Sequence, residues 1–90
     1  MSSLLREPAP RAVGVSCTDD ELCVVLADGR RLTVPIIWFP RLANASASQR
    51  AAFELLGDGE GIHWPELDED LSVSGLLAGR RSVEFDRNHV

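Results

Sequence analysis

The sequence lacks lysine altogether, has only two cysteines and contains no long apolar run. Cys17 and Cys23 are too few for a disulfide framework and do not form a CxxC motif, so we expect reduced, partly buried thiols, with a bridge between neighbouring strands as the alternative. A membrane-spanning helix needs about 20 apolar residues, and no segment approaches that length. Residues 1–11 lack the apolar centre of a secretory signal and contain two prolines. These absences predict a cytoplasmic protein.

The balance of charges limits the partners that the chain can take. Nine arginines stand against 14 acidic residues, which gives a net charge of -5. An acidic domain lacks the broad positive field that drives non-specific binding to nucleic acid. With 44% hydrophobic and 26% charged residues, the 90-residue chain is typical of one small globular domain. The acidic balance fits a soluble protein and equally one that meets a basic partner.

Alternating apolar residues predict short strands at 13–15, 22–26, 32–34 and 62–64. The last of these strands should end at Pro65, because proline has no N–H group to donate to a neighbouring strand.

The register of the hairpin between the second and third strands follows from which residues share a face. A two-residue loop at 28–29 would place Val24 opposite Thr33 and mix apolar with polar residues. A three-residue loop at 27–29, with its glycine at positive φ, places Val24 opposite Leu32 instead. Because a slip of one residue moves a whole strand to the other face, burial should select the three-residue loop.

One main helix is predicted after the third strand. Ser46 and Gln49 have the spacing of a capping box, in which each side chain bonds the backbone N–H of the other residue. The helix should run to about Leu56, and Gly57 should end it in the left-handed conformation. Pro40 is suited to open a short helical turn before this helix.

These elements predict an α+β fold, with a small antiparallel sheet, one main helix packed on it and a short C-terminal helical turn at 73–77. We expect residues 1–11 to form a flexible tail, 12–78 to form the single α+β domain and 79–90 to form a second flexible tail.

No spacing in the sequence specifies catalysis or metal binding. His63 has acidic neighbours in the sequence but no motif that ties it to a nucleophile. The acids at 68–70 could offer oxygen ligands to magnesium or calcium, but the other ligands of a calcium loop are missing. The glycines within 57–61 follow the predicted helix, and the acids between them would repel phosphate, so they indicate a turn. We therefore predict no catalytic residue, no cofactor, no metal and no enzyme.

A short acidic stretch is the predicted partner-binding surface. Such a cluster costs self-repulsion, which a basic partner would relieve, and a tryptophan within it could supply a desolvated anchor. The alternative is that the tryptophan belongs to the core and the acids keep the surface soluble. The predicted surface consists of Glu60, Trp64, Glu66, Asp68, Glu69 and Asp70.

Several strings of the sequence resemble one family of small bacterial proteins, called domain of unknown function 2442. The most specific strings are Trp-Phe-Pro-Arg-Leu at 38–42 and Ile-His-Trp-Pro at 62–65. The resemblance extends over residues 13–77. The other matching segments are 26–30, 34–35, 43–45, 49–50, 59–61, 66–70, 73 and 75–77.

The resemblance implies an α+β domain with antiparallel strands and no assigned activity. Relatives are often encoded beside another small protein, in pairs that look like toxin–antitoxin modules, and some carry an appended helix-turn-helix. Only a short tail follows Leu77 here, so we expect no direct binding to nucleic acid. The expected function is a protein-interaction module and, more narrowly, an antitoxin-like half that binds a co-encoded basic protein. The alternatives are a DNA-associated regulator that acts through a partner and a small enzyme or metal-binding domain. The sequence leaves the oligomeric state open.

Overall fold

A computed structural model describes residues 9–88, which fold into two antiparallel sheets of three strands each and four short helices. The first sheet has the order β1 (Ala12–Cys17), β2 (Glu21–Leu26), β3 (Arg31–Pro35), and the second has the order β4 (Glu54–Leu56), β5 (Gly61–Trp64), β6 (Glu69–Ser72). The helices are α1 (Pro40–Ala43), α2 (Ala47–Ala51), α3 (Val73–Leu77) and α4 (Val83–Asn88), and 3₁₀ turns cover Ile36–Trp38 and Pro65–Leu67.

The first sheet has the predicted register. Val24 lies opposite Leu32, and Leu22 lies opposite Val34, so the aliphatic residues of β2 and β3 share one face. Gly29 has a φ of 96°, as the three-residue loop requires. Val24 and Leu22 are both fully buried, which confirms that burial selects this register.

The two cysteines lie on the neighbouring strands β1 and β2, and both are free thiols of intermediate exposure. Cys17 lies opposite Leu22, whereas Cys23 lies opposite Ser16, so the two thiols are not cross-strand partners. The expectation of partly buried cysteines is confirmed, and their reduced state stays a prediction.

The prediction of one main helix on one sheet is wrong, although the α+β class is right. The capping box of Ser46 and Gln49 is present, but α2 ends at Ala51. The chain then forms β4, in which Leu55 lies opposite Ile62 of β5. Pairing with β5 satisfies the backbone of 54–56 in a ladder that no local propensity reveals. Gly57, with a φ of 61°, lies in the β4–β5 turn and not at a helix end.

The core lies between the two sheets. Its fully enclosed side chains come from β2, β5, α1 and α3, so both sheets and two of the helices contribute to it. A thin core of this kind is expected for a chain of this length. The largest of these side chains are Trp64, Leu22, Leu42, Ile62, Val24 and Val73.

The C-terminal helical turn predicted at 73–77 is confirmed as α3, and its N-cap Ser72 accepts a hydrogen bond from the Gly75 N–H. Part of the segment expected as a second tail forms α4. The residue before this helix, Ser82, donates its N–H to the Trp38 carbonyl. The flexibility of the segment 79–90 stays a prediction. Most of the first expected tail, residues 1–8, and positions 89–90 lie outside the described residues. Within residues 9–88, no helix is long and apolar enough to cross a membrane.

Candidate functional site

The second sheet and its turns concentrate negative charge. Residues 54–72 contain seven acidic residues and no arginine. Within the part of the chain that the structure describes, only two of the seven contact a basic side chain: Asp68 lies near Arg41, and Asp70 contacts His63. The seven are Glu54, Asp58, Glu60, Glu66, Asp68, Glu69 and Asp70. The negative potential of the protein is therefore strongest over this sheet.

The strand register divides the sequence-predicted residues between the two faces of the second sheet. Glu54, His63 and Asp70 lie in one cross-strand row. Trp64 lies opposite Glu69 in the next row, and because successive side chains alternate, this pair points to the core side. Asp70 therefore belongs to the solvent face, whereas Trp64 and Glu69 do not. The predicted cluster is not one continuous surface.

His63 is held by the carboxylate of Asp70, with 2.5 Å between Nδ1 and Oδ1. This contact orients the imidazole on the solvent face but brings it no nucleophile. Across residues 9–88, no three His, Cys, Asp or Glu side chains converge closely enough to hold a metal ion. The row of Glu54, His63 and Asp70 therefore offers negative charge and hydrogen-bond acceptors on an open face of the sheet.

Trp64 is part of the core and is not a surface anchor. Its side chain is 0% exposed, and its Nε1–H donates to the Arg50 carbonyl at 2.9 Å. The Phe53 ring lies 6.4 Å away, tilted against the indole. The hydrogen bond satisfies the one polar group of the indole, which makes full burial favourable. A partner that binds this region must contact the acids and not the indole of Trp64.

Glu69 is half-buried, and its Oε2 has no hydrogen-bond partner among the described residues. Burial raises the pKa of this carboxyl group above its usual range, and the nearby positive charge of Arg41 partly offsets the rise. Glu69 is thus a partly buried group of the fold and not a free surface charge.

Arg41 organises the turn before β6. Its guanidinium donates to the Asp68 carbonyl at 2.7 Å and to the Glu84 carboxylate at 2.9 Å. Asp68 has a φ of 50°, an uncommon conformation for a residue other than glycine. The arginine of the Trp-Phe-Pro-Arg-Leu string therefore joins α1 to the acidic turn and to α4. The backbone carbonyl of Asp68 thus bonds Arg41, and its carboxylate lies 3.8 Å from the same guanidinium.

Arg50 is the residue of this region that the sequence analysis missed. It is 9% exposed, yet it donates to the carbonyls of Leu42 and Ala43 and to the Asp19 carboxylate. The last carbonyls of a helix have no partner within it, and the guanidinium bonds those of Leu42 and Ala43. The Leu42 carbonyl also accepts from the Ala45 N–H. Arg50 follows a capping box and falls in the matching segment 49–50, but neither signal distinguishes it from an ordinary surface arginine.

Comparisons with known proteins agree with this fold. A model of a family described as a protein of unknown function (DUF2442) matches residues 12–82. A crystal structure of a protein of unknown function from Rhodospirillum rubrum is 35% identical, with a TM-score of 0.73, over 86% of this chain and 95% of that chain. The solution structure of an uncharacterised protein from Chromobacterium violaceum is 27% identical, with a TM-score of 0.70, over 88% of this chain and 75% of that chain.

A search of curated proteins finds no match. The family match covers most of the chain, which confirms the resemblance carried by the Trp-Phe-Pro-Arg-Leu and Ile-His-Trp-Pro strings. The chain belongs to the DUF2442 family of proteins of unknown function.

Proposed function

We propose that the protein is an interaction module that binds a basic partner protein through its second sheet. The observation that supports this most is the charge of residues 54–72, with seven acids and no arginine. We call the exposed acids Glu54, Asp58, Glu60 and Glu66, which have no ion-pair partner among the described residues, the acidic surface.

The acidic surface has a cost in the free protein, because like charges held on one small sheet and in its turns repel each other. A basic protein would relieve this repulsion on binding and would be steered towards it before contact. Exposed single charges contribute more to the rate of encounter than to the strength of the final complex. The expected signature of this function is therefore an association rate that falls as salt is added.

The finer proposal is that the protein is the antitoxin-like, non-enzymatic half of a cytoplasmic pair, and that the partner is encoded by the adjacent gene. The support is the pairing of genes that the family resemblance implies, together with the charge of the acidic surface.

The test is a charge reversal at two positions of the acidic surface. Glu60→Arg combined with Glu66→Arg should lower the rate of association with the protein encoded by the adjacent gene by roughly tenfold at low salt. Both side chains are exposed and unpaired among the described residues, so circular dichroism should show an intact fold. Reversal of Glu69 is less suitable, because its half-buried carboxyl group lies near Arg41.

A matched control carries the same change of charge on the first sheet. Asp20→Arg with Glu21→Arg alters two exposed acids that also lack an ion-pair partner among the described residues. Surface plasmon resonance should show a much smaller change for this control than for the variant of the acidic surface. Equal rates for both variants would mean that the acidic surface is not the binding site.

A further inference from the structure

The outer edge of β1 carries backbone groups that the sheet does not use. The Thr18 N–H donates to the Glu21 carbonyl at 2.8 Å, which marks a hydrogen-bonded pair at the end of this hairpin. In an antiparallel ladder such pairs alternate with non-bonded ones, so the backbone N–H and C=O groups of Val15 and Cys17 point away from β2. Neither amide donates to any other described element. These two residues therefore offer a short, open sheet edge.

The bulge of β1 lies between Ala12 and Gly14, and the Ala12 N–H donates to the Gly59 carbonyl, so the open part of this edge is confined to residues 15–17. This part lacks the charge or proline that β3 and β6 carry. Exposed strand edges usually carry charge or proline, which discourages another strand from pairing with them. On the opposite edge of the same sheet, β3 begins with Arg31 and ends with Pro35. In the second sheet, β6 begins with Glu69 and Asp70. In contrast, β1 has the sequence Ala-Val-Gly-Val-Ser-Cys, with neither a charge nor a proline.

A groove of about 510 Å³ lies beside this edge, between β1 and α2. Val15, Cys17, Ala47, Ala51 and Phe53 supply its apolar lining. The charged residues that line it offset each other, because the Arg50 guanidinium lies 3.0 Å from the Asp19 carboxylate. An apolar side chain therefore enters the groove without leaving a charge unpaired.

We propose that this groove and the β1 edge receive an extended segment of the partner protein, which adds to the first sheet as a fourth strand. The backbone of the segment pairs with Val15 and Cys17, and its alternate apolar side chains enter the groove. Phe53, which lines the groove, directly precedes Glu54, so a basic residue of the segment can lie beside this member of the acidic surface. The positive charge of the segment rests on the proposed function. The strand pairing rests only on the β1 edge and the groove.

The test uses a synthetic peptide and does not depend on knowing the partner. A capped peptide of alternating valine and arginine is titrated into the ¹⁵N-labelled protein, and amide hydrogen exchange is followed residue by residue. Exchange at the Val15 and Cys17 amides should slow on binding. The same peptide with glutamate in place of arginine should bind roughly tenfold more weakly, because the acidic surface repels it.

Two variants at neighbouring positions test the groove itself. Ala51→Leu places a larger side chain in the groove and should weaken peptide binding by roughly tenfold. Ala52→Leu is the matched control, since Ala52 is exposed but does not line the groove, and it should bind like the parent. Both substitutions are on the surface, and circular dichroism should show the fold of the parent.

Three results would overturn the inference. One is that neither amide is protected at millimolar peptide. Another is that the two leucine variants bind equally well. The third is that both amides are already protected in the free protein and the mass in solution is that of a dimer, because a second copy would then occupy the edge. In a separate outcome, the peptide binds as expected while the Glu60 and Glu66 reversal leaves association with the adjacent-gene protein unchanged. That outcome would reject the acidic surface as the binding site of the proposed function, and it would leave the proposed strand pairing at β1 supported.

Discussion

The Nε1–H of Trp64 donates a hydrogen bond of 2.9 Å to the backbone carbonyl of Arg50, and this contact joins the second sheet to α2. The same arginine extends its guanidinium to the carbonyl of Leu42 in α1, and it reaches the first hairpin at Thr18 and Asp19. One residue thus connects both sheets and two helices. The most specific strings of the family resemblance therefore supply structural contacts.

The first prediction concerns the indole of Trp64. Trp64→Phe leaves the Arg50 carbonyl without its donor and opens a cavity in the core, at a cost of about 2–4 kcal/mol in the free energy of unfolding. Urea denaturation measures the loss. Trp38→Phe is the control, since Trp38 is only partly buried and its cost should be about 1 kcal/mol. Equal losses at the two sites would contradict the central role assigned to the Trp64 indole.

The second prediction concerns the guanidinium of Arg50. A lysine at this position cannot present the planar set of donors that now serves the Leu42 and Ala43 carbonyls. Arg50→Lys should therefore destabilise the protein by about 2–4 kcal/mol, as a lower melting temperature in a thermal scan. The exposed Arg31→Lys should melt within a degree or two of the parent. A parent-like melting temperature for Arg50→Lys would contradict the structural role assigned to this side chain.

The third prediction concerns the pH dependence that Glu69 causes. Because burial raises the pKa of this carboxyl group in the folded state, the fold favours its protonated form. Its contribution to stability is complete below the pKa of the unfolded chain and is lost as the pH rises through the higher folded pKa. Glu69→Gln should therefore be more stable than the parent at neutral pH, and the difference should vanish under acidic conditions.

Urea denaturation at neutral and at acidic pH measures this effect for Glu69→Gln. The exposed Glu66→Gln serves as the control and should follow the parent at both values. A Glu69→Gln variant that is less stable than the parent at neutral pH would show that the attraction to Arg41 outweighs the burial.

The fourth prediction concerns the inward face of the first sheet. Val24→Asp buries a carboxylate without a partner and should cost about 3 kcal/mol or more, enough to abolish a cooperative transition in a small domain. Thr33→Asp, on the exposed face of β3, should unfold like the parent. Leu32→Asp should fall between the two, since Leu32 is only partly buried. A parent-like transition for Val24→Asp would show that the inward face is wrongly assigned.

Sequence reasoning was sound where neighbours along the chain decide the structure. The loop before Arg30 needs a positive φ at Gly29, and the alternation of β2 leaves one register that buries its aliphatic side chains. The capping box of Ser46 and Gln49 is equally local, because its donors and acceptors lie within one turn of helix. Such features depend on backbone geometry and short-range hydrogen bonds, which the order of residues specifies directly.

The sequence by itself determined the α+β class, the register of the β2–β3 hairpin, the start of α2 and the excess of acids at 54–72. Only the tertiary structure decided that the chain after Ala51 forms β4, that Trp64 lies in the core and that Arg50 joins the sheets. The segment 54–56 becomes a strand because β5 supplies its hydrogen-bond partners. Burial of Trp64 and Arg50 likewise depends on carbonyls brought close by the packing of distant segments, a condition that no local pattern records.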